Sequence, residues 1–304
     1  MNSSFKRGAE WRKWDLHIHT IESGFGTEDD YPCFIENLKL SDASVLGIND
    51  YSSIGGYEKI VKMGGVPNKV LFPIVELRMN NKINHKNGTA VNGGVNINFH
   101  IIFDNSLEID QIKTELHSLE CFYEGGTKLK LGHVKKEELN TITFDYFKVI
   151  EQLSSSAILK ERYLIWVPYD EYGGIDNIDP INDGYFKLGI INKAHFLGSA
   201  NLKQINYFLS EDCKNIIGRN IPCIKGSDAH SINYPFGKLK DKNSNPTDKY
   251  CWIKADTTFE GLKQVTNEPS SRLFIGENPD LFSKVSLNKT KYLKKIVTTQ
   301  QKVN

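Results

Sequence analysis

The chain is short of several things. No apolar run approaches the length of about 18 residues at which a membrane-spanning helix becomes the natural reading, so no span is expected. The opening MNSSFKRGAEWRKWD has no apolar core of the secretory type. Cysteine is sparse: Cys33, Cys121, Cys213, Cys223 and Cys251 are scattered, odd in number and without CxxC spacing. That pattern argues against a disulfide scaffold, fits a reducing cytoplasm, and leaves the cysteines mostly as buried small hydrophobes. Charge of one sign is also missing, since the formal net charge is only +1. A neutral total neither indicates nor excludes a nucleic-acid partner, because a basic patch can sit inside it. There is no internal repeat.

What is present is an ordinary globular composition, 39% hydrophobic and 25% charged over 304 residues, enough for one large domain or two small ones. Short apolar runs alternate with longer helical patterns. Strands are expected over Asp15–Thr20, Ser44–Asn49, Val70–Met79, Val95–Phe103, Tyr163–Val167, Ile221–Lys225 and Tyr250–Lys254. Helices are expected over Tyr31–Leu40, Tyr57–Met63, Leu107–Leu119, Ile142–Leu153, Leu202–Ser210 and Thr258–Val265. Such alternation favours an α/β fold with a largely parallel sheet, closed into a distorted barrel whose chemistry collects at the C-terminal strand ends.

Three loops interrupt the pattern: an Asn/Gly-rich stretch at 80–94, an acidic one at 170–184, and the lysine-bearing 231–249. The acidic loop fails as a calcium loop. Counted from Asp179, the third and twelfth positions are Ile181 and Ile190, where oxygen ligands are needed. Residues 283–304 carry six lysines and no acids and read as a solvated tail or linker, so the domain is expected over 1–275 and the tail over 276–304.

Four separated fragments carry the chemistry: WDLHIHT at 14–20, GIND at 47–50, VEL at 75–77 and GSDAH at 226–230. In a strand, alternate residues share a face. Asp15, His17 and His19 are therefore expected to point inward, with Leu16 and Ile18 packing outward. Two imidazoles two apart suit a divalent cation, and Asp15 suits the task of orienting a ring. Asp228 and His230 repeat the spacing at a second strand end. Glu76 lies in the apolar run LFPIVELRM, where an unpaired carboxylate is costly; a metal ligand role is favoured, although Arg78 on the same face offers a plain salt bridge. Arg78 then becomes a clamp for a phosphate oxygen, as does Lys238. Asn96, Asn98 and His100 form a polar stripe on another expected strand. Asp50, at a strand end, is expected to ligate or to orient a neighbour. His85, His117 and His133 read as surface residues, and His195 is left unassigned.

HxH, a strand ending in Asp, a lone Glu, a later His and a closing DxH together resemble the PHP family (polymerase and histidinol phosphatase domains). The resemblance spans about residues 13–275. WIKADTTFEGLKQ at 252–264, EP at 268–269, RLFIGENP at 272–279 and PYDEYGG at 168–174 look like the N-terminal PHP module of the TrlF-type AAA-like ATPases. The resemblance implies a distorted (β/α)7 TIM-like barrel with a phosphoesterase site of two or three divalent ions. Zinc or manganese would serve, and iron also suits the donor types. It carries His17, His19, Glu76, His100, Asp228 and His230 over as ligands. It departs at two places: the family's DH is Asp50–Tyr51 here, and its AHP-like segment is Trp166–Val167–Pro168. Tyr51 is left as a ligand or a proton donor.

The expected function is hydrolysis of a phosphate ester by a metal-activated water, with nucleic acid or a nucleotide as the favoured substrate. The alternative is a ligand-depleted PHP module serving an associated ATPase. No GxxxxGK[ST] loop occurs, so the chain is not expected to hydrolyse ATP in that way. An amidohydrolase also begins with HxH, but the DxH ending argues against it.

Overall fold

The computed structural model describes residues 9–80, 83–86, 96–123 and 126–280. Eleven strands occur among them: β1 (Trp11–Ile18), β2 (Val45–Tyr51), β3 (Val70–Arg78), β4 (Asn98–Phe103), β5 (Glu120–Phe122), β6 (Lys128–Lys130), β7 (Tyr163–Pro168), β8 (Phe196–Gly198), β9 (Cys223–Ile224), β10 (Tyr250–Lys254) and β11 (Leu273–Gly276). Nine join one sheet in the order β11-β10-β1-β2-β3-β4-β7-β8-β9, and β5 pairs with β6 apart from it. The sheet curls until its ends nearly meet. The start of β1 pairs antiparallel with β10. Its end is met by the segment after β9: Ile18 bridges Ala229 in parallel, and His19 N donates to Ala229 O at 3.1 Å. The result is the expected α/β barrel of distorted TIM type.

The sheet is less parallel than the sequence pattern implies. β1, β2 and β3 run parallel, as do β7, β8 and β9, but β4 lies antiparallel to both neighbours. A parallel pair needs a crossover, usually helical. The β3–β4 connection is the Asn/Gly-rich stretch, which disfavours helix, so the chain turns back instead. Residues 81–82 and 87–95 of that stretch, with the Val95 start of the expected fourth strand, lie outside the described residues, as do 281–304 of the lysine-rich tail.

Helices at Tyr31–Leu40, Gly55–Lys62, Ile109–Ser118, Tyr146–Ser155, Leu202–Phe208 and Phe259–Val265 fall where periodicity places them. Two more, Gly184–Lys193 and Glu211–Ile217, carry little sequence signal. The first contains Gly184, Gly189 and adjacent isoleucines, all weak helix formers. No helix among the described residues is long and apolar enough to cross a membrane. Cys121, Cys213, Cys223 and Cys251 are buried, Cys33 is exposed, and all are unbridged.

Two apolar clusters divide the core. Trp14, Leu16, Val45, Phe72, Ile74, Ile102, Leu164, Trp166, Phe196 and Ile224 pack together, each from a barrel strand, and fill the barrel floor. Ile18, Ile48, Val75, Ile101, Ile165 and Val167 instead pack outward with the helices. Leu16 therefore points in and Ile18 out, which corrects the simple alternation read from the sequence. A register irregularity between Asp15 and Ile18 resets the phase. It frees Asp15 to bind backbone and lets His17 and His19 both face the barrel mouth.

Candidate metal centre

The mouth gathers side chains from four separate strand ends. His17 Nε2 and His19 Nε2 lie 3.1 Å apart, and Glu76 Oε2 is 3.3 Å from each. Asp228 Oδ1 approaches the same two nitrogens at 3.4 and 3.6 Å. His100 is the cross-strand partner of Glu76, and its ring lies 4.8 Å from that of His17. Two overlapping sets have the spacing of metal donors, His17–Glu76–His100 and His17–His19–Asp228, with ligand atoms within 4.8 Å of one another. His17, His19, Glu76 and His100 are buried, whereas the Asp228 side chain remains 40% exposed. One flank of the cluster is therefore open to solvent.

Neighbouring groups hold these donors in place. Asn98 Nδ2 donates to Glu76 Oε1 at 2.5 Å, and the Asn49 amide faces His100 Nδ1 at 3.0 Å. Trp166 stacks on His100, with centroids 4.5 Å apart, and meets His17 edge-on. Asp15 accepts from Ser227 N at 2.9 Å, Gly237 N at 2.8 Å and His17 N at 3.3 Å. It fastens the closing segment to β1. Asp50 accepts from Thr20 N at 2.8 Å, Thr20 Oγ1 at 2.8 Å and Ser23 Oγ at 2.7 Å, and Ser23 Oγ reaches His19 Nδ1 at 3.0 Å. Asp15 and Asp50 thus orient loops and rings. Gly226 allows the approach, because a Cβ there would lie 2.2 Å from His17 Cβ.

Tyr51 and His230 make a pair of their own. Tyr51 Oη lies 3.0 Å from His230 Nε2, and the His230 ring stacks on His19 with centroids 3.9 Å apart. His230 Nδ1 is 3.0 Å from Asp228 O. Asp228 itself sits at φ 51°, a left-handed conformation uncommon for residues other than glycine and frequent at functional sites.

The buried imidazoles and carboxylates shift one another. Burial disfavours the His19 imidazolium, but Asp228 and Glu76 outweigh it and raise His19 to about 9. Burial would raise Glu76 and Asp228, yet the facing imidazoles hold both below the usual carboxylate range. His100 is driven down to about 3, first by burial, and is therefore neutral. Burial lowers His230 and raises Tyr51, so the imidazole is poised neutral and the phenol keeps its proton.

A cavity of about 430 Å³ opens above the cluster, lined by His17, Tyr51, Glu76, His100, Asp228 and His230 and rimmed by Glu171, Tyr172, Lys225, Lys240, Lys242 and Ser244. Of the expected phosphate clamps, Lys238 is absent from this wall. Its ammonium pairs with Asp248 at 2.6 Å and lines a separate groove beside Tyr234 and Tyr250. Arg78 lies in an adjoining recess with Tyr51, Glu76 and Asn98. The lysines that do face the cavity are Lys225, paired with Glu171 at 3.1 Å, and Lys240, which donates to Asp228 O. Sequence reasoning missed both, and it missed Asn49 and Glu171. The two-residue step from Lys238 to Lys240 decides the matter, since the intervening turn sets which lysine faces in. His117 and His133 are exposed as expected, His85 is partly buried, and His195 accepts from Ile165 N at 2.9 Å, apart from this cavity.

No family model and no curated protein matches the chain in sequence. Solved structures do match in shape. The lesion-specific endonuclease PfuEndoQ from Pyrococcus furiosus aligns at TM-score 0.51 and 17% identity, over 85% of this chain and 56% of that one. An Endonuclease Q complex with a 27-mer duplex bearing an abasic lesion aligns at 0.47 and 15%, over 85% and 57%. A two-domain protein from Bacteroides vulgatus, containing a predicted PHP-like metal-dependent phosphoesterase, aligns at 0.44 and 12%, over 88% and 65%. The first likeness shows a shared fold, and the chain spans little more than half the length of that endonuclease.

Proposed function

We propose that the chain is a metal-dependent phosphoesterase of PHP type, acting on a phosphate ester within a nucleic acid or nucleotide. The observation that carries it is the convergence of His17, His19, Glu76, His100 and Asp228, drawn from distant parts of the sequence, on one half-open pocket. The donors fit a divalent ion. His17 Nδ1 and His100 Nε2 are buried nitrogens without a hydrogen-bond partner among the described residues, and such atoms are costly unless something satisfies them. Asn49 Nδ2 lies 3.0 Å from His100 Nδ1, while Asn49 Oδ1 is buried without a partner among the described residues. Turning that amide over lets its oxygen accept Nδ1–H and frees the His100 Nε2 lone pair to ligate. All donors are nitrogen or oxygen, which suits zinc, manganese or iron.

His17, His19, Glu76, His100 and Asp228 would hold the ions, with His230 at the open edge. When bound, the ions lower the pKa of water and neutralise charge on the phosphoryl oxygens. The rest falls to the chain. Lys240 and Lys225 supply positive charge to the wall, and Arg78 supplies more from the adjoining recess. The Tyr51 phenol keeps its proton beside His230 and would donate it to the departing ester oxygen. In balance, water adds to phosphorus, the ester P–O bond breaks, and the alcohol leaves carrying a proton.

The family resemblance and the endonuclease among the structural neighbours support nucleic acid as the substrate class, and both are analogies. The competing reading, a ligand-depleted module serving an ATPase, rests on Tyr51 and Val167. It is disfavoured because Val167 packs outward while the remaining donors still converge. Metal analysis of the purified chain, with phosphodiester and phosphomonoester assays in added Mn²⁺, tests the proposal. Bound metal with turnover is expected; neither metal nor turnover would leave the module reading in its place.

A further inference from the structure

One residue at the cavity rim has no part in the hydrolytic reading. Tyr172 lines the cavity, yet it is 76% exposed. A tyrosine ring usually buries much of its apolar face. Here a tightly bonded turn carries the ring at the rim. Gly174 N donates to Glu171 O at 3.0 Å and Asp176 N to Tyr169 O at 2.8 Å. Gly173 sits at φ +70°, and a Cβ there would lie 2.6 Å from Asn98 Cγ. The Gly173 carbonyl accepts from Asn98 N at 2.9 Å, and Asn98 Nδ2 donates in turn to Glu76 Oε1 at 2.5 Å. The turn is thus linked through Asn98 to Glu76, a carboxylate of the proposed metal centre. On its other side Glu171 points inward to Lys225 at 3.1 Å. The backbone on both sides of Tyr172 is thus fixed.

We propose that Tyr172 is a stacking platform for a nucleobase, and that the site takes a nucleic-acid strand presenting an unpaired base beside the scissile phosphate. The inference rests on the phosphoesterase reading and narrows its substrate. Every base offers a π face to an aromatic ring, whatever its sequence. A cavity near 430 Å³ falls in the range of roughly 300–1,000 Å³ that holds ligands larger than a bare phosphate. Lys240 and Lys242 on the facing loop suit a neighbouring backbone phosphate. A small phosphomonoester without a ring would leave Tyr172 without an occupant.

The test is equilibrium binding to the full chain, with Ca²⁺ added and at one fixed salt concentration. Two single-stranded DNA oligonucleotides of equal length are compared, one carrying 2-aminopurine and one carrying abasic residues around the same central phosphate. The aminopurine fluorescence is expected to be quenched on binding. Tyr172→Ala should remove the quench and weaken the base-bearing oligonucleotide by roughly 5- to 150-fold, the range expected of one lost base stack. The loss for the abasic strand should be much smaller, so the preference between the two narrows. Tyr172→Trp should restore both readouts, which a merely structural role would not predict. Equal losses for the two strands, wild-type affinity in the alanine variant, or no binding of either strand by the wild type would each overturn the proposal. Tyr172-dependent quenching without any phosphoester turnover would uphold the stacking site while removing the hydrolytic reading.

Discussion

At the scale of single residues, the proposed ligands act as a mutually dependent set. Removing His17 or Asp228 would take a donor from the proposed metal and a partner from the neighbouring side chains. His17→Ala and Asp228→Ala should each lower the metal content of the purified protein and abolish hydrolysis. Far-ultraviolet circular dichroism should stay unchanged, because neither side chain belongs to the apolar clusters. Wild-type turnover in either variant would refute the assignment. Acidity should matter in a definite direction. Without metal, Asp228 and Glu76 hold His19 at about 9, so at neutral pH a cation must displace a proton to bind there. Metal affinity should therefore rise as the pH climbs toward 9, by up to about tenfold per pH unit. Glu76 and Asp228, held below the usual carboxylate range, add nothing to that slope near neutrality. Calorimetric metal titrations at several pH values, read for proton release, check both the sign and the slope.

Some of these residues were legible in the sequence and others were not. Glu76 stood out because a carboxylate in an apolar strand demands a reason, and the two paired motifs stood out by their spacing. Lys240 did not, because a lysine in a polar loop resembles any other. The sequence reading favours its neighbour Lys238, and only the turn between them shows which one faces the cavity. Asn49 and Glu171 escaped for a like reason. Each serves by what it touches across the barrel, His100 in one case and Lys225 in the other.

At the scale of elements, the decisive feature is the contact between β1 and the segment after β9. Strict alternation along β1 correctly aims His17 and His19 inward but misplaces Leu16, since the register irregularity after Asp15 was invisible. Asp15 then ties the two elements through Ser227 and Gly237. Gly226 makes the approach possible, and Gly226→Ala should break it. A methyl group 2.2 Å from His17 Cβ forces the segment bearing Asp228 and His230 off the strand. We expect a loss of about 1–3 kcal/mol in stability, the usual penalty for overpacking, with a larger proportional loss of metal affinity. Thermal melts and metal titrations of the variant check this; unchanged values in both would show that the contact is compliant.

At the scale of the whole molecule, the proposed ions join parts of the chain that nothing covalent joins. His17, Glu76 and His100 lie on separate strands of the nearly closed sheet, and Asp228 on the segment after β9. A cation bound only by the folded barrel should stabilise it by mass action. At one hundred times its dissociation constant that amounts to about 2.7 kcal/mol, or a rise of roughly 4–5 °C in melting temperature for a domain of this size. A chelator should reverse the rise. A melting temperature indifferent to Mn²⁺, Zn²⁺ and chelator alike would mean that the cluster does not hold a metal in solution.

By itself the sequence determined the chemical inventory: which imidazoles and carboxylates exist, their two-residue spacing at strand ends, and the alternation of strands and helices that calls for a barrel. Those are local properties, set by side-chain type and by the short periods of secondary structure. Only the tertiary structure decided the reversed direction of β4, the phase shift that aims Leu16 inward beneath His17 and His19, and the choice of Lys240 over Lys238 at the wall. The first two depend on which backbones lie side by side, β4 between β3 and β7 and β1 beside β2, and the third on the fold of one turn; side-chain type and short periods do not encode either.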